Sequence, residues 1–137
     1  MKLAAWLVSL TLVLVVPATA ATPVVRTFAA PIDRVWSVTE AVLKHQGWDI
    51  DKADRSVGLL TTESRRVDGE NYGVYEKGIR HRLHLQFKAS GARQTTVTVQ
   101  RTIFKRERIM FVDNDEVLST TDQSVERALL DSIAKAL

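Results

Sequence analysis

Few residues in this chain are placed to do chemistry. Its histidines are His45, His81 and His84, and it has no cysteine. His81 and His84 stand three apart in a segment that alternates as a strand. Side chains at that spacing point to opposite faces, so the pair is not expected to chelate one metal ion. His45 closes a helical pattern, where a cation meets the helix dipole favourably. Asp113, Asp115 and Glu116 are the kind of oxygen ligand a hard cation takes. Their run lacks the glycine and distant glutamate of a calcium loop, and it reads as a solvated turn.

Other chemistries lack their parts. Without cysteine, thiol catalysis and cysteine-ligated zinc are excluded. There is no Gly-x-Ser-x-Gly motif, and Gly69, Gly73 and Gly78 are too widely spaced for a phosphate loop. The expectation is a protein without catalytic, cofactor or metal site. The basic residues say more. Arg65, Arg66, Arg80, Arg82, Lys105, Arg106 and Arg108 fall near strand ends, and Tyr72 and Tyr75 lie between two of these groups. Arginine with tyrosine is a composition enriched at protein interfaces. These nine residues are the expected interface, with an envelope protein as partner. The same basic residues suit peripheral contact with an anionic membrane surface, at about 1 kcal/mol each. Net charge is only +3, which is too mild to imply nucleic acid.

The elements that must position these residues read as follows. Residues 22–29 favour a strand, with Val24, Val25, Thr27 and Phe28. Pro31 suits the entry to a helix over residues 32–46. Ile32, Val35, Trp36, Thr39, Val42 and Leu43 share one face of it, and Gly47 can take the left-handed position after its end. Residues 48–51 and 59–66 form a hairpin about the turn 54–58. Residues 67–78 read as a loop or irregular edge. Residues 79–88 and 94–104 are strands about a turn at 89–92, with Leu83, Leu85, Phe87, Val97, Val99 and Ile103 inward. Residues 105–112 add at most one short strand, and 113–115 signal a loop. A last helix begins at a Thr120/Gln123 capping box and carries Val125, Leu129, Leu130, Ile133 and Leu137 as its apolar stripe. The expected fold is α+β: an antiparallel sheet of about five strands with two helices on one face, in the order β-α-β-β-β-β-α.

The chain opens as a secretory signal. Lys2 is a short basic region, residues 3–16 carry no charge, and Ala18-Thr19-Ala20 supplies the small residues of a cleavage site. Residues 1–20 are expected to be a signal peptide cut after Ala20, and residues 21–137 a single domain in the periplasm. Without cysteine, that domain must be held by its core rather than by disulfides.

The residues Val35-Trp36, Ala41-Val42-Leu43, Gly47-Trp48-Asp49-Ile50 and Asp54-Arg55-Ser56-Val57-Gly58-Leu59-Leu60-Thr61 resemble the helix-grip repeats of the BamC family. These are lipoproteins of the outer-membrane β-barrel assembly machine. The closing stretch Arg127-Ala128-Leu129-Leu130-Asp131-Ser132-Ile133-Ala134 is similar to the final helix there. One helix-grip unit is present instead of two, and the lipid-modified cysteine is missing. The resemblance implies a helix-grip fold and an accessory or scaffold role in envelope or outer-membrane protein assembly. Two other functions remain open: a carrier of a small apolar ligand or lipid between helices and sheet, and a periplasmic inhibitor or immunity protein acting through residues 69–78.

Overall fold

The computed structural model describes residues 22–137. In chain order these form β1 (Val24–Phe28), α1 (Ile32–His45), β2 (Ile50–Asp54), β3 (Leu59–Thr62), β4 (Arg65–Asn71), β5 (Glu76–Gly91), β6 (Gln94–Ile109), β7 (Val112–Leu118) and α2 (Ser124–Ala136). The expected signal peptide, residues 1–20, lies outside the described residues.

The class is α+β, and the sheet is antiparallel, but it has seven strands rather than five. The spine is the β5–β6 hairpin, two strands of 16 residues paired along their length. At about 3.3 Å per residue each strand extends on the order of 50 Å. One half of the spine belongs to a five-stranded body in the order β1-β6-β5-β3-β2, and the other half continues as a wing flanked by β4 and β7.

The body is organised as its sequence predicts. Leu83, Leu85 and Phe87 on β5 and Val97 and Val99 on β6 face the helices. α1 covers them with Val35, Trp36 and Leu43, and α2 with Leu129, Leu130 and Ile133. The Trp36 and Phe87 rings meet at 4.7 Å between centroids. α1 ends in a Schellman arrangement: Trp48 N–H donates to the Leu43 carbonyl at 2.9 Å and Gly47 N–H to the Lys44 carbonyl at 3.0 Å, with Gly47 at φ +82°. The motif drops Trp48 into the core directly after the helix. Gly58 closes the β2–β3 turn at φ +70°, and its carbonyl accepts from Phe87 N–H at 2.8 Å.

The start of α2 differs from its expectation. No Thr120/Gln123 capping box forms, and the helix begins at Ser124. Thr120 Oγ1 accepts from Asp122 N–H at 3.1 Å, and Asp122 Oδ1 accepts from Ser124 N–H at 2.9 Å. Such local side-chain turns compete with helix initiation. Here the buried Arg101 favours the turn by donating to the Asp122 carbonyl at 3.0 Å.

The wing accounts for the strand count. Residues 65–71 and 112–118 are strands, where a loop or irregular edge from 67 and a loop signal at 113–115 were expected. Neither helix covers them, so they need no apolar alternation. Ladder hydrogen bonds and cross-strand charge pairs hold them instead, as where Asp113 and Asp115 oppose Arg108 and Arg106. Gly69 and Gly78 face each other across β4 and β5, next to a bulge. A Cβ on Gly69 would lie 2.2 Å from the Lys77 carbonyl oxygen, so these glycines permit a close backbone approach rather than mark a loop.

Candidate interaction site

Strand alternation distributes the expected interface residues. Glu76, Arg80 and Arg82 of β5 share the open face, away from the helices, with Phe104, Arg106 and Arg108 of β6 and Asp113 and Asp115 of β7. Lys105 alternates to the opposite face, across from Glu116. Arg66 pairs in register with Arg80 at the β4 edge. Arg65 has a structural job: its guanidinium stacks on Trp48 at 3.6 Å and donates to the Gln46 carbonyl at 2.8 Å.

On the open face Arg80, Arg106 and Arg108 are paired. Arg106 is bidentate to Asp115 at 2.8 and 2.9 Å, and Arg108 binds Asp113 at 2.6 Å. Glu76 is buried between them and Arg80, which donates to it at 2.7 Å, while Arg108 lies 3.4 Å away. The hydrogen bond from Arg108 holds the Asp113 carboxyl below the usual carboxylate range, and that from Arg106 does the same for Asp115. Phe104 is buried beneath this network, with Arg82 and Arg106 at 5.2 and 5.3 Å from its ring centre. Arg106 and Arg108 of the expected basic cluster belong to a charge lattice, because Asp115 and Asp113 of β7 lie directly across the ladder.

The tyrosines stand at the tip of the wing. Tyr72 hydroxyl donates to Glu70 Oε2 at 2.6 Å, which raises the phenol's pKa. The chain turns at Gly73, and Tyr72 N–H donates to the Tyr75 carbonyl at 2.7 Å. The β6–β7 turn packs beside it: Phe111 N–H donates to the Val74 carbonyl at 3.2 Å, and Arg108 reaches the Gly73 carbonyl at 3.4 Å. Between the two tips runs a groove of about 380 Å³ whose lining includes Glu70, Tyr72, Tyr75, Glu107, Arg108 and Ile109. It carries apolar walls, a paired arginine and two tyrosines, features suited to a partner's side chain. The neighbouring apex, residues 109–112, exposes Ile109, Met110, Phe111 and Val112. Sequence reasoning missed this apex. Its signal was an unbroken apolar run between two charged stretches.

A second polar cluster lies where body meets wing, and it too was missed. Arg101 occupies an inward position between Val99 and Ile103. Its Nε donates to Glu126 Oε1 at 2.8 Å, and Nη1 lies 3.4 Å from His81 Nδ1. Arg65 Nε lies 3.3 Å from His81 Nε2. A neutral imidazole accepts at only one nitrogen, so at most one of these long contacts is a true hydrogen bond. Burial foremost, then the charges of Arg101 and Arg65, push the His81 pKa down to about 4. Trp48 packs on the ring at 4.8 Å. His81 is therefore a neutral plate between two cations. His84 points to the other face, and burial followed by Arg82 lowers its pKa.

Ser132 and Lys135 also stand at a Ser-x-x-Lys spacing that sequence reasoning passed over. Ser132 Oγ donates to the Ala128 carbonyl and accepts from Gln46 Nε2, each at 3.0 Å, so its hydroxyl is engaged in packing α2 against the end of α1. Among the described residues no group of three or more His, Asp or Glu side chains is disposed to hold a metal ion. No protein-family model matches the chain, and no curated protein matches it.

Proposed function

We propose that this protein is a non-catalytic binding or scaffold module of the periplasm that engages another envelope protein through the tip of its wing. The observation that carries the proposal is the groove between the two hairpin tips, flanked by the exposed Tyr72 and Tyr75 and backed by the paired Arg108. Tyrosine supplies large contact area at low entropic cost, and a prepaired arginine needs no reorganisation to be covered. A two-helix, antiparallel-sheet body is consistent with a helix-grip unit of the BamC type, with residues 1–20 as export signal. On that reading the protein is an accessory of envelope or outer-membrane protein assembly.

Packing favours this over a carrier of apolar ligands. Trp36, Trp48 and Phe87 occupy the space between helices and sheet, and Trp36 and Phe87 are in ring contact. A ligand there would have to displace them. The inhibitor reading requires a protruding loop at residues 69–78, and most of that segment lies in the β4 and β5 strands.

The test is photo-crosslinking in cells from position 75, with position 88 at the far end of the spine as control. The expected result is a discrete adduct with one envelope protein from position 75, diminished by Tyr72→Asp. Equal labelling from both positions, or none from 75, would refute the proposal.

A further inference from the structure

We infer that the β6–β7 apex is a lipid-inserting element: Ile109, Met110, Phe111 and Val112 enter the apolar part of a bilayer whatever the charge of its headgroups. The inserting residues are ones that the protein-binding groove does not need, apart from Ile109 on its rim, and the groove's Tyr72 and Tyr75 lie beside them.

The backbone supplies the first argument. Ile109 and Val112 form the closing pair of a hairpin, so Met110 and Phe111 are its two-residue loop, with φ of +50° and +67°. Two left-handed residues in such a loop are the signature of a type I′ turn, which strongly favours Asn-Gly and disfavours large side chains. Every other left-handed position among the described residues is a glycine: Gly47, Gly58, Gly69 and Gly73. Among the described residues, only this apex keeps two bulky apolar residues in that conformation. Strain retained at one site, where glycine is used elsewhere, points to a role for the side chains themselves.

Exposure supplies the second. Ile109 is 62% exposed and Phe111 75%, with Met110 and Val112 between those values. Four consecutive large apolar residues form a convex cap at the end of a ribbon, away from the core.

The surroundings decide what covers the cap. Phe111 N–H is already bonded to Val74, and the Ile109–Val112 pair ends the ladder. Pairing the Phe111 amide lowers the cost of placing this turn in hydrocarbon, where unpaired backbone is costly. Behind it Arg108 is paired with Asp113, Arg106 with Asp115 and Glu76 with Arg80, and Lys77 stands between Glu70 and Glu107 in the ladders. They can approach a low-dielectric region as neutral pairs. They also leave the tip without an unpaired arginine to seek an anionic headgroup, unlike the electrostatic contact expected from sequence. Tyr72 and Tyr75, beside the apex, are the amphipathic residues that settle at the depth of the headgroups. A convex, apolar cap offers a protein pocket little to read, and it suits a bilayer.

The absence of cysteine makes a clean test possible. Met110→Cys, in the purified exported protein, is labelled with the environment-sensitive fluorophore NBD and mixed with vesicles of phosphatidylcholine alone or with added phosphatidylglycerol. The expected result is a blue shift of similar size with both, and none from a label at Lys88→Cys at the other end of the spine. In flotation, Met110→Asn/Phe111→Gly is expected to lower vesicle-bound protein about tenfold or more while circular dichroism stays native. The inference is overturned by no shift with either vesicle, by a shift with anionic vesicles only, or by undiminished flotation of the double variant. It is equally overturned if the Met110 label responds to an envelope protein and not to lipid, which would make the apex a protein-docking wedge. The crosslink from position 75 reads a protein adduct and the Met110 label reads lipid, so either idea can fail alone.

Discussion

Arg101 Nε lies 2.8 Å from Glu126 Oε1, and both side chains are withdrawn from water at the junction of body and wing. The pair ties the middle of β6 to the first turn of α2, where a carboxylate also meets the positive end of the helix dipole. Glu126 Oε2 has no hydrogen-bond partner among the described residues. Removing one member therefore strands a charge. Arg101→Met is expected to cost about 3–5 kcal/mol, whereas Arg101→Met/Glu126→Leu together should fall within about 1 kcal/mol of the native protein. Urea unfolding of the two variants decides it: equal losses would show that the arginine matters for its contacts to Asp122 and His81 rather than for Glu126.

His81 makes stability depend on pH. Its folded pKa, about 4, lies below the ordinary value of 6.5 because burial and two flanking guanidinium groups disfavour the imidazolium. Between these values the unfolded chain binds a proton that the folded chain refuses. The contribution is therefore complete above pH 6.5 and is lost as pH falls through 4, amounting to at most roughly 3 kcal/mol. Thermal melts from pH 7 to 4 should show the midpoint falling, and His81→Gln should flatten that slope. An unchanged slope in the variant would assign the acid sensitivity to carboxylates.

The body was legible in the sequence and the wing was not, for one physical reason. Where a strand or helix buries one face, its apolar residues must repeat at the period of the element. The parity of Leu83, Leu85 and Phe87, and the stripe through Val35, Trp36 and Leu43, announce both element and orientation. β4 and β7 bury neither face on a helix, so most of β4, residues 67–71, and the start of β7, residues 113–115, read as loop. Their pairing shows only in register, when Asp113 and Asp115 are seen opposite Arg108 and Arg106. At the site, the arginines and tyrosines were found by type, but the neutralisation of Arg106 and Arg108 depends on the β6–β7 register, which sets Asp115 and Asp113 opposite them. Arg101 had a usable signal, a cation at an inward parity position between Val99 and Ile103.

Two glycines separate conformational strain from steric conflict. Gly58 and Gly73 both have positive φ, +70° and +78°. A Cβ on Gly58 would sit 2.3 Å from the Phe87 carbonyl oxygen, whereas one on Gly73 meets nothing within 4 Å. Gly73→Ala should cost only the left-handed penalty, about 1 kcal/mol, and Gly58→Ala about 2–4 kcal/mol because the β3–β5 pairing must also shift. Denaturant midpoints compare the two directly. Equal costs would mean that the turn at Gly58 yields without disturbing Phe87.

The apex turn makes the opposite prediction, a substitution that stabilises. Met110 and Phe111 hold φ of +50° and +67° and bury little of their surface, so the folded state gains little from their side chains. Replacing them by Asn and Gly removes the left-handed strain. The greater backbone freedom of glycine in the unfolded chain offsets part of that gain. The net expectation is a stabilisation of roughly 1–2 kcal/mol, read as a higher midpoint in urea with an unchanged slope. A loss of stability would show that Met110 or Phe111 packs against the Gly73–Tyr75 turn strongly enough to justify its conformation. The apex would then be a structural clasp between two hairpins, and the retained strain would no longer argue for insertion into lipid.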